Sequence, residues 1–330
     1  MGIAKKEKTS LFWLLFPFFG LWLFFWLVPL FFGIDLALQN SSHLSGHRDS
    51  FESSIGESSG SGFSWLDKDK LAGEGQDAAK YVGFENFRRV LEDAKFYKAL
   101  KNTSMYVFGS VVIIIPLAFA LGLSLFQLGR LPRGIIVFCL MVPGLALPGV
   151  LSTLFYLFFH GRTGALNQYL LAPLGLQPVN WMMDPLFIMP SLVMQSVWRW
   201  TGLVTLFFLC GLESIPRWQL EASDIEGAGM GMKIRTVFLP CLTPFCLFAM
   251  VFLVVDGFAS FSGAYNLLGG SGGILDSGLL LVTYIYQVAF PGGSGRFDFP
   301  AATAMSLLVV PLTASVLFLV LRYRKRGMPG

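Results

Sequence analysis

Residues 11–32 read LFWLLFPFFGLWLFFWLVPLFF, without one charged side chain. A helix needs about 20 apolar residues to cross the roughly 30 Å hydrocarbon layer of a bilayer. This run meets that length. Lys5, Lys6 and Lys8 precede it, as they would in a signal peptide. The run is too long for a signal h-region, and no small-residue cleavage site follows. It reads as a retained first crossing and sets the class of the chain.

Working outward, 103–126, 135–159, 185–212, 237–260 and 303–321 are apolar over a similar length, with Arg199 inside 185–212 and one acid near the end of 237–260. The composition agrees. Hydrophobic residues make up 54% of the 330, charged residues 13%, and mean hydropathy is +0.64. A soluble domain carries nearer a quarter charged residues. Disordered, collagen-like and ordinary cytosolic-enzyme classes are excluded on these figures. Cys139, Cys210, Cys241 and Cys246 lie in or beside the apolar runs and form no CxxC pair, so they read as small packing residues.

Lys and Arg resist translocation and mark the cytoplasmic side. With the N-terminus inside, segments 1–10, 127–134, 213–236 and 322–330 carry twelve of them. The short outside loops 160–184 and 261–302 carry only Arg162 and Arg296. The expected fold is therefore an all-α membrane protein with six transmembrane helices and both termini cytoplasmic. Its segments are a cytoplasmic N-terminus (1–10), a first crossing (11–32), an outer loop (33–102) and a core (103–330). Within the outer loop, the Ser/Gly-rich stretch 41–79 reads as mobile, and its His43 and His47 as solvated. Residues 84–101 alternate apolar and charged positions at helical period and read as an amphipathic helix at the outer interface. Residues 160–184 read as a compact Gly/Pro loop. Residues 279–290 read as a helix too short to cross.

Catalytic motifs are weak. There is no GxxxxGK[ST] and no HExxH. Two GxSG strings, at 269–272 and 292–295, would need a base beside the serine, and His160 lies on another segment. No metal-ligand cluster is expected.

One cytoplasmic loop carries a pattern. Residues 213–236 read ESIPRWQLEASDIEGAGMGMKIRT. Pro216 suits a helix start, residues 218–226 make about two turns, and Gly227, Gly229 and Gly231 interrupt them. The result is a helix–Gly–helix elbow that presents Glu221, Asp224 and Glu226. The spacing Glu221-Ala222-Ser223, three residues, Gly227-Ala228, then Val237 and Leu239-Pro240, resembles the EAA motif of ABC importer permeases. Ser223 replaces the third Ala of that motif, and Val237 replaces an Ile. Further strings are similar to the MalF-type sugar branch. They are Gly211-Leu212 with Ile215-Pro216, Val82-Gly83 with Asn86-Phe87, Ile225-Glu226-Gly227-Ala228, and Tyr284-Ile285-Tyr286 with Ala289-Phe290.

The resemblance implies a bacterial inner-membrane permease that moves a sugar or oligosaccharide inward by alternating access. It implies that the elbow (Glu221, Ala222, Ser223, Asp224, Gly227, Ala228, Leu239, Pro240) is a coupling helix seated on a separate ATPase. The implied partners are two ABC ATPase subunits, a second homologous permease and an extracytoplasmic solute-binding protein, with no nucleic acid. ATP and Mg would be bound by the ATPase; this chain would hold no cofactor and catalyse nothing.

A charge in mid-membrane costs roughly 2.5–3.5 kcal/mol on insertion scales and should face the bundle interior. Arg199 and Asp256 are the two such residues well inside a crossing. Aligned with relatives, the solute path would include Trp198, Arg199, Trp200, Phe252 and Asp256. Arg199 either pairs with Asp256 or faces the solute, and the second case favours an acidic sugar. Trp198 and Trp200 stand two apart, so at most one lines a path. A secondary carrier or channel is the alternative, and an intramembrane protease a weaker one.

Overall fold

The computed structural model describes residues 3–40, 81–290 and 298–327. The Ser/Gly-rich stretch 41–79, with His43 and His47, lies outside the described residues. Among those described the chain is helical, with one isolated β-bridge between Gln39 and Tyr81. It divides into two units, residues 1–93 with 285–309, and residues 94–284 with 310–330.

In the first unit, α1 (Ile3–Ala37) carries the opening apolar run. Its rings are exposed, Phe25 by 70% and Trp26 by 65%, as a surface solvated by lipid tails would be. A short helix, α2 (Glu85–Glu92), follows. Asn86 is fully buried and its Nδ2 donates to the carbonyls of Ala37 (2.7 Å) and Gln39 (2.8 Å), closing the end of α1. Arg89 pairs with Asp298 at 3.6 Å. The amphipathic helix expected over 84–101 is thus shorter. Asp93 sits in extended backbone (ψ 109°) and ends it, and residues from Ala94 onward belong to the next helix.

The second unit holds α3 (Ala94–Phe126), α4 (Arg130–Leu145), α5 (Pro148–Phe158), α6 (Pro185–Glu213), α7 (Arg217–Ile225), α8 (Met230–Lys233), α9 (Leu239–Phe258) and α10 (Ser262–Leu267). Two further helices, α11 (Leu281–Ala289) and α12 (Phe299–Gly327), complete the chain. Among the described residues, five helical segments are long and apolar enough to cross a membrane. The sixth expected crossing, 135–159, is broken: α4 and α5 meet at 97°. The cause is local. Leu147 precedes Pro148, whose ring disfavours helical backbone in the residue before it, and Ala146 and Leu147 are both extended (ψ 144° and 132°).

The core of this unit lies where α3, α6 and α9 meet, around Ile114, Val204, Phe208, Leu212, Leu242 and Leu253. Small residues let the helices approach, as is usual in membranes. A Cβ on Gly202 would stand 1.8 Å from the carbonyl oxygen of Leu140 on α4. Cys139 and Cys210 are exposed, and Cys241 and Cys246 half-buried; all four are free.

Residues 160–184 do form a compact loop, and Asn167 is its hub. Asn167 is 4% exposed. Its Nδ2 donates to the carbonyls of Gly161 (2.7 Å) and Val179 (2.9 Å), and its Oδ1 accepts from Val179 N (3.3 Å) and the Trp181 indole (2.9 Å). Every polar atom of that amide is used. Residues 269–278 form a second tight segment. Leu275 and Asp276 adopt left-handed backbone (φ 55° and 52°). Such a conformation persists only where its surroundings over-determine it. Here α3 does so. Lys95 pairs with Asp276 at 3.2 Å, Asn102 donates to the carbonyls of Asp276 and Leu279, and Lys98 donates to that of Leu275.

Candidate functional site

The elbow begins at Pro216, whose extended backbone (ψ 135°) gives way to α7. Gly227 ends α7 with φ +70°. Around it, Gly227 N donates to Asp224 O and Ala228 N to Ser223 O, both at 3.0 Å. This is the doubly bonded C-terminal cap that needs a residue in left-handed backbone. The glycine of the motif is therefore explained by backbone geometry, since a side chain there would cost about 1–2 kcal/mol.

The third motif position also has a structural reason. Ser223 is 7% exposed and its Oγ donates to Leu220 O at 2.7 Å. A small residue is required, and the hydroxyl satisfies itself locally. Glu221, Ala222, Asp224 and Glu226 are exposed, and Ile225 is 88% exposed. Lys233 pairs with Asp224, tying α8 back to α7. Leu220, Ile234, Val237 and Phe238 join the elbow to the α3–α6–α9 core. Leu239 and Pro240 open α9 and are exposed. Arg133 and Glu213 form an ion pair at 2.7 Å that ties α4 to the end of α6.

A second locus is a cavity of about 180 Å³ between α3, α5, α6, α9 and the start of α10. Arg199, Trp200 and Asp256 line it, together with Tyr106, Gln195 and Ser260. The Arg199 guanidinium carbon lies 4.7 Å from the centroid of the Trp200 ring. Its Nε is buried and, among the described residues, has no hydrogen-bond partner. Among the described residues Arg199 and Asp256 form no ion pair, though both face this cavity. Trp198 and Phe252 do not line it. Trp198 is 45% exposed and meets Phe155 edge-on at 5.4 Å. Phe252 stands behind Trp200, ring against ring at 5.0 Å. Arg199, Trp200 and Asp256 are thus brought together, and Trp198 is turned away.

Tyr106, Gln195 and Ser260 were not anticipated. The only signal in the sequence is that each is a hydrogen-bonding residue in or beside an apolar run. Gln195, 5% exposed, donates to Ser152 at 3.2 Å. Of the GxSG serines, Ser294 lies outside the described residues. Ser271 donates to Leu268 O at 2.7 Å and accepts from Gly273 N, and His160 Nδ1 faces Thr163 Oγ1 at 2.9 Å. Ser271 and His160 line one cleft, but no hydrogen bond joins them into a nucleophile–base pair.

Residues 97–326 match the family described as "Binding-protein-dependent transport system inner membrane component". The arabinooligosaccharides transport system permease protein AraP of Bacillus subtilis (strain 168) is 32% identical over 248 residues, covering 75% of this chain and 78% of that one. The trehalose/maltose transport system permease protein MalF of Thermococcus litoralis is 29% identical over 248 residues, covering 74% and 81%. Among solved structures, a bacterial ABC transporter involved in the import of the acidic polysaccharide alginate has a chain of similar fold. It superposes with a TM-score of 0.65 at 20% identity, covering 81% of this chain and 91% of that one.

Proposed function

Because this chain belongs to the family of binding-protein-dependent transport system inner membrane components, we propose that it is the permease subunit of an ABC importer for a sugar or oligosaccharide. The names of its relatives support the solute class. The single observation that carries the mechanism is the elbow. It exposes Glu221, Ala222, Asp224 and Ile225 on a helix capped at Gly227 and rooted in the core through Leu220 and Phe238.

In this reading the elbow faces the cytoplasm, with both termini. Two ATPase subunits bind ATP and Mg, and their closure pushes α7. Close-packed interiors transmit displacement rather than absorb it. The push therefore reaches α6 and α9, which carry Arg199, Trp200 and Asp256. A solute-binding protein delivers the sugar from outside, and a second homologous permease completes the path. The chain itself catalyses no reaction.

The test is co-purification with a candidate ATPase, native chain against Glu221→Arg. Loss of the ATPase on that change supports coupling. Unaltered association and uptake would remove the elbow from the mechanism.

A further inference from the structure

The described part of the chain has a second concavity, and it is larger. A cleft of about 740 Å³ lies between the 160–184 loop and the 267–274 segment. Small-molecule sites run to about 300–1,000 Å³. The Arg199 cavity, at about 180 Å³, is below that range, and this cleft is inside it. Both are built on α5 and α10, at different ends. Pro148 and Leu151 line the small cavity, while Tyr156, Phe159 and His160 line the cleft. A helical rise of 1.5 Å per residue puts Leu151 and Phe159 about 12 Å apart. They are separate sites.

The walls of the cleft are pre-formed. Trp181 is fixed by three partners, since its indole donates to Asn167, and the rings of Phe159 (5.9 Å) and Phe187 (5.3 Å) flank it. With its N–H already used, Trp181 offers the cleft only ring surface. The facing wall leads into the left-handed segment clamped by Lys95, Lys98 and Asn102. Neither wall requires ordering when a ligand arrives, which lowers the cost of binding.

The charge of the lining is one-sided. Among the described residues, Arg162 is the one formally charged side chain on its lining, and no carboxylate lines it. Arg162 makes no ion pair or side-chain hydrogen bond among the described residues. The nearby acids are engaged elsewhere. Asp184 accepts from Leu186 N to cap α6, and Asp276 is paired with Lys95. The Arg199 cavity, in contrast, holds one cation and one anion. A planar guanidinium with unused donors is suited to bidentate recognition of a carboxylate or sulfonate. Ring surface from Trp181 and Tyr156 beside it suits the apolar face of a sugar ring.

We infer that this cleft is a subsite for an anionic saccharide unit, held by Arg162 through its acidic group and by Trp181 and Tyr156 through its ring. The inference rests on the sugar-importer reading and names the charge of its solute. It also accounts for a cation in an outside loop otherwise almost free of them.

The experiment titrates the purified full-length chain, in lipid nanodiscs, with trigalacturonate and with neutral maltotriose by calorimetry. Saturable trigalacturonate binding, at least tenfold tighter than maltotriose, is expected. Arg162→Gln should weaken it tenfold or more, Arg162→Lys should keep the charge but restore only part of the affinity because it lacks the bidentate fork, and raised salt should weaken it as exposed charge contacts do. Equal affinity for the two trisaccharides, no saturable binding to millimolar concentration, or undiminished binding by Arg162→Gln would overturn the inference. So would loss on Arg199→Gln with Arg162→Gln unaffected, which would move the charge to the smaller cavity. The importer reading fails on a different readout, no candidate ATPase co-purifying with the native chain, so the two failures are distinguishable.

Discussion

Replacing Gly227 by Ala isolates backbone torsion from every other effect. A Cβ built there meets nothing within 4 Å, so no clash contributes. What remains is φ +70°, which costs an L-residue about 1–2 kcal/mol. A destabilisation of that size changes a two-state ratio by a factor of roughly 5–30. The state affected is the closed cap, in which the amides of Gly227 and Ala228 donate to Asp224 and Ser223. Hydrogen–deuterium exchange of peptides spanning 221–232, on the chain in nanodiscs, reads that opening directly. Exchange at these amides should accelerate about 5- to 30-fold in Gly227→Ala. Gly227→Asn should fall well short of that, because Asn visits left-handed backbone more readily. Gly229→Ala is the internal control, since Gly229 has φ −64° and equally open space. It should be neutral or slightly slower to exchange, as Gly→Ala changes at compatible backbone usually are. If Gly229→Ala opened the elbow as much as Gly227→Ala, or if Gly227→Ala left exchange unchanged, the torsional account of the motif glycine would be wrong.

Two further substitutions test the packing. Asn167→Ala strands the Trp181 indole, the Val179 amide and two carbonyls; thermal unfolding in detergent should show a loss of about 2–3 kcal/mol. Gly202→Ala drives a Cβ into Leu140 O; overpacking of about 1–3 kcal/mol should lower the same midpoint, while Gly20→Ala, with nothing within 4 Å, should not.

The parts of the fold that were legible in the sequence are those set by local chemistry. Long apolar runs, with at most one charge each, reported their own crossings. Pro216 and Gly227 marked the ends of α7 because each acts through its own backbone. The break at Ala146 and Leu147 was hidden inside an apolar run that hydropathy alone reads as continuous, although Pro148 was in view. Asp93 hid a helix end inside a plausible amphipathic period. At the candidate site, spacing allowed only one of Trp198 and Trp200 on a path. Which one faces the cavity depends on how α6 packs, which no local pattern encodes. Asn167 was not legible at all. Its role comes from partners up to fourteen residues away, across a loop whose shape it creates.

The corner between α4 and α5 has its own consequence. A helix end leaves carbonyls or amides without partners in the helix, and hydrocarbon tails offer them none. Pro148, at the corner, opens onto the polar Arg199 cavity. Water admitted to that hollow would offer partners to backbone groups that the bend frees, so hydration would favour the bent form of the crossing.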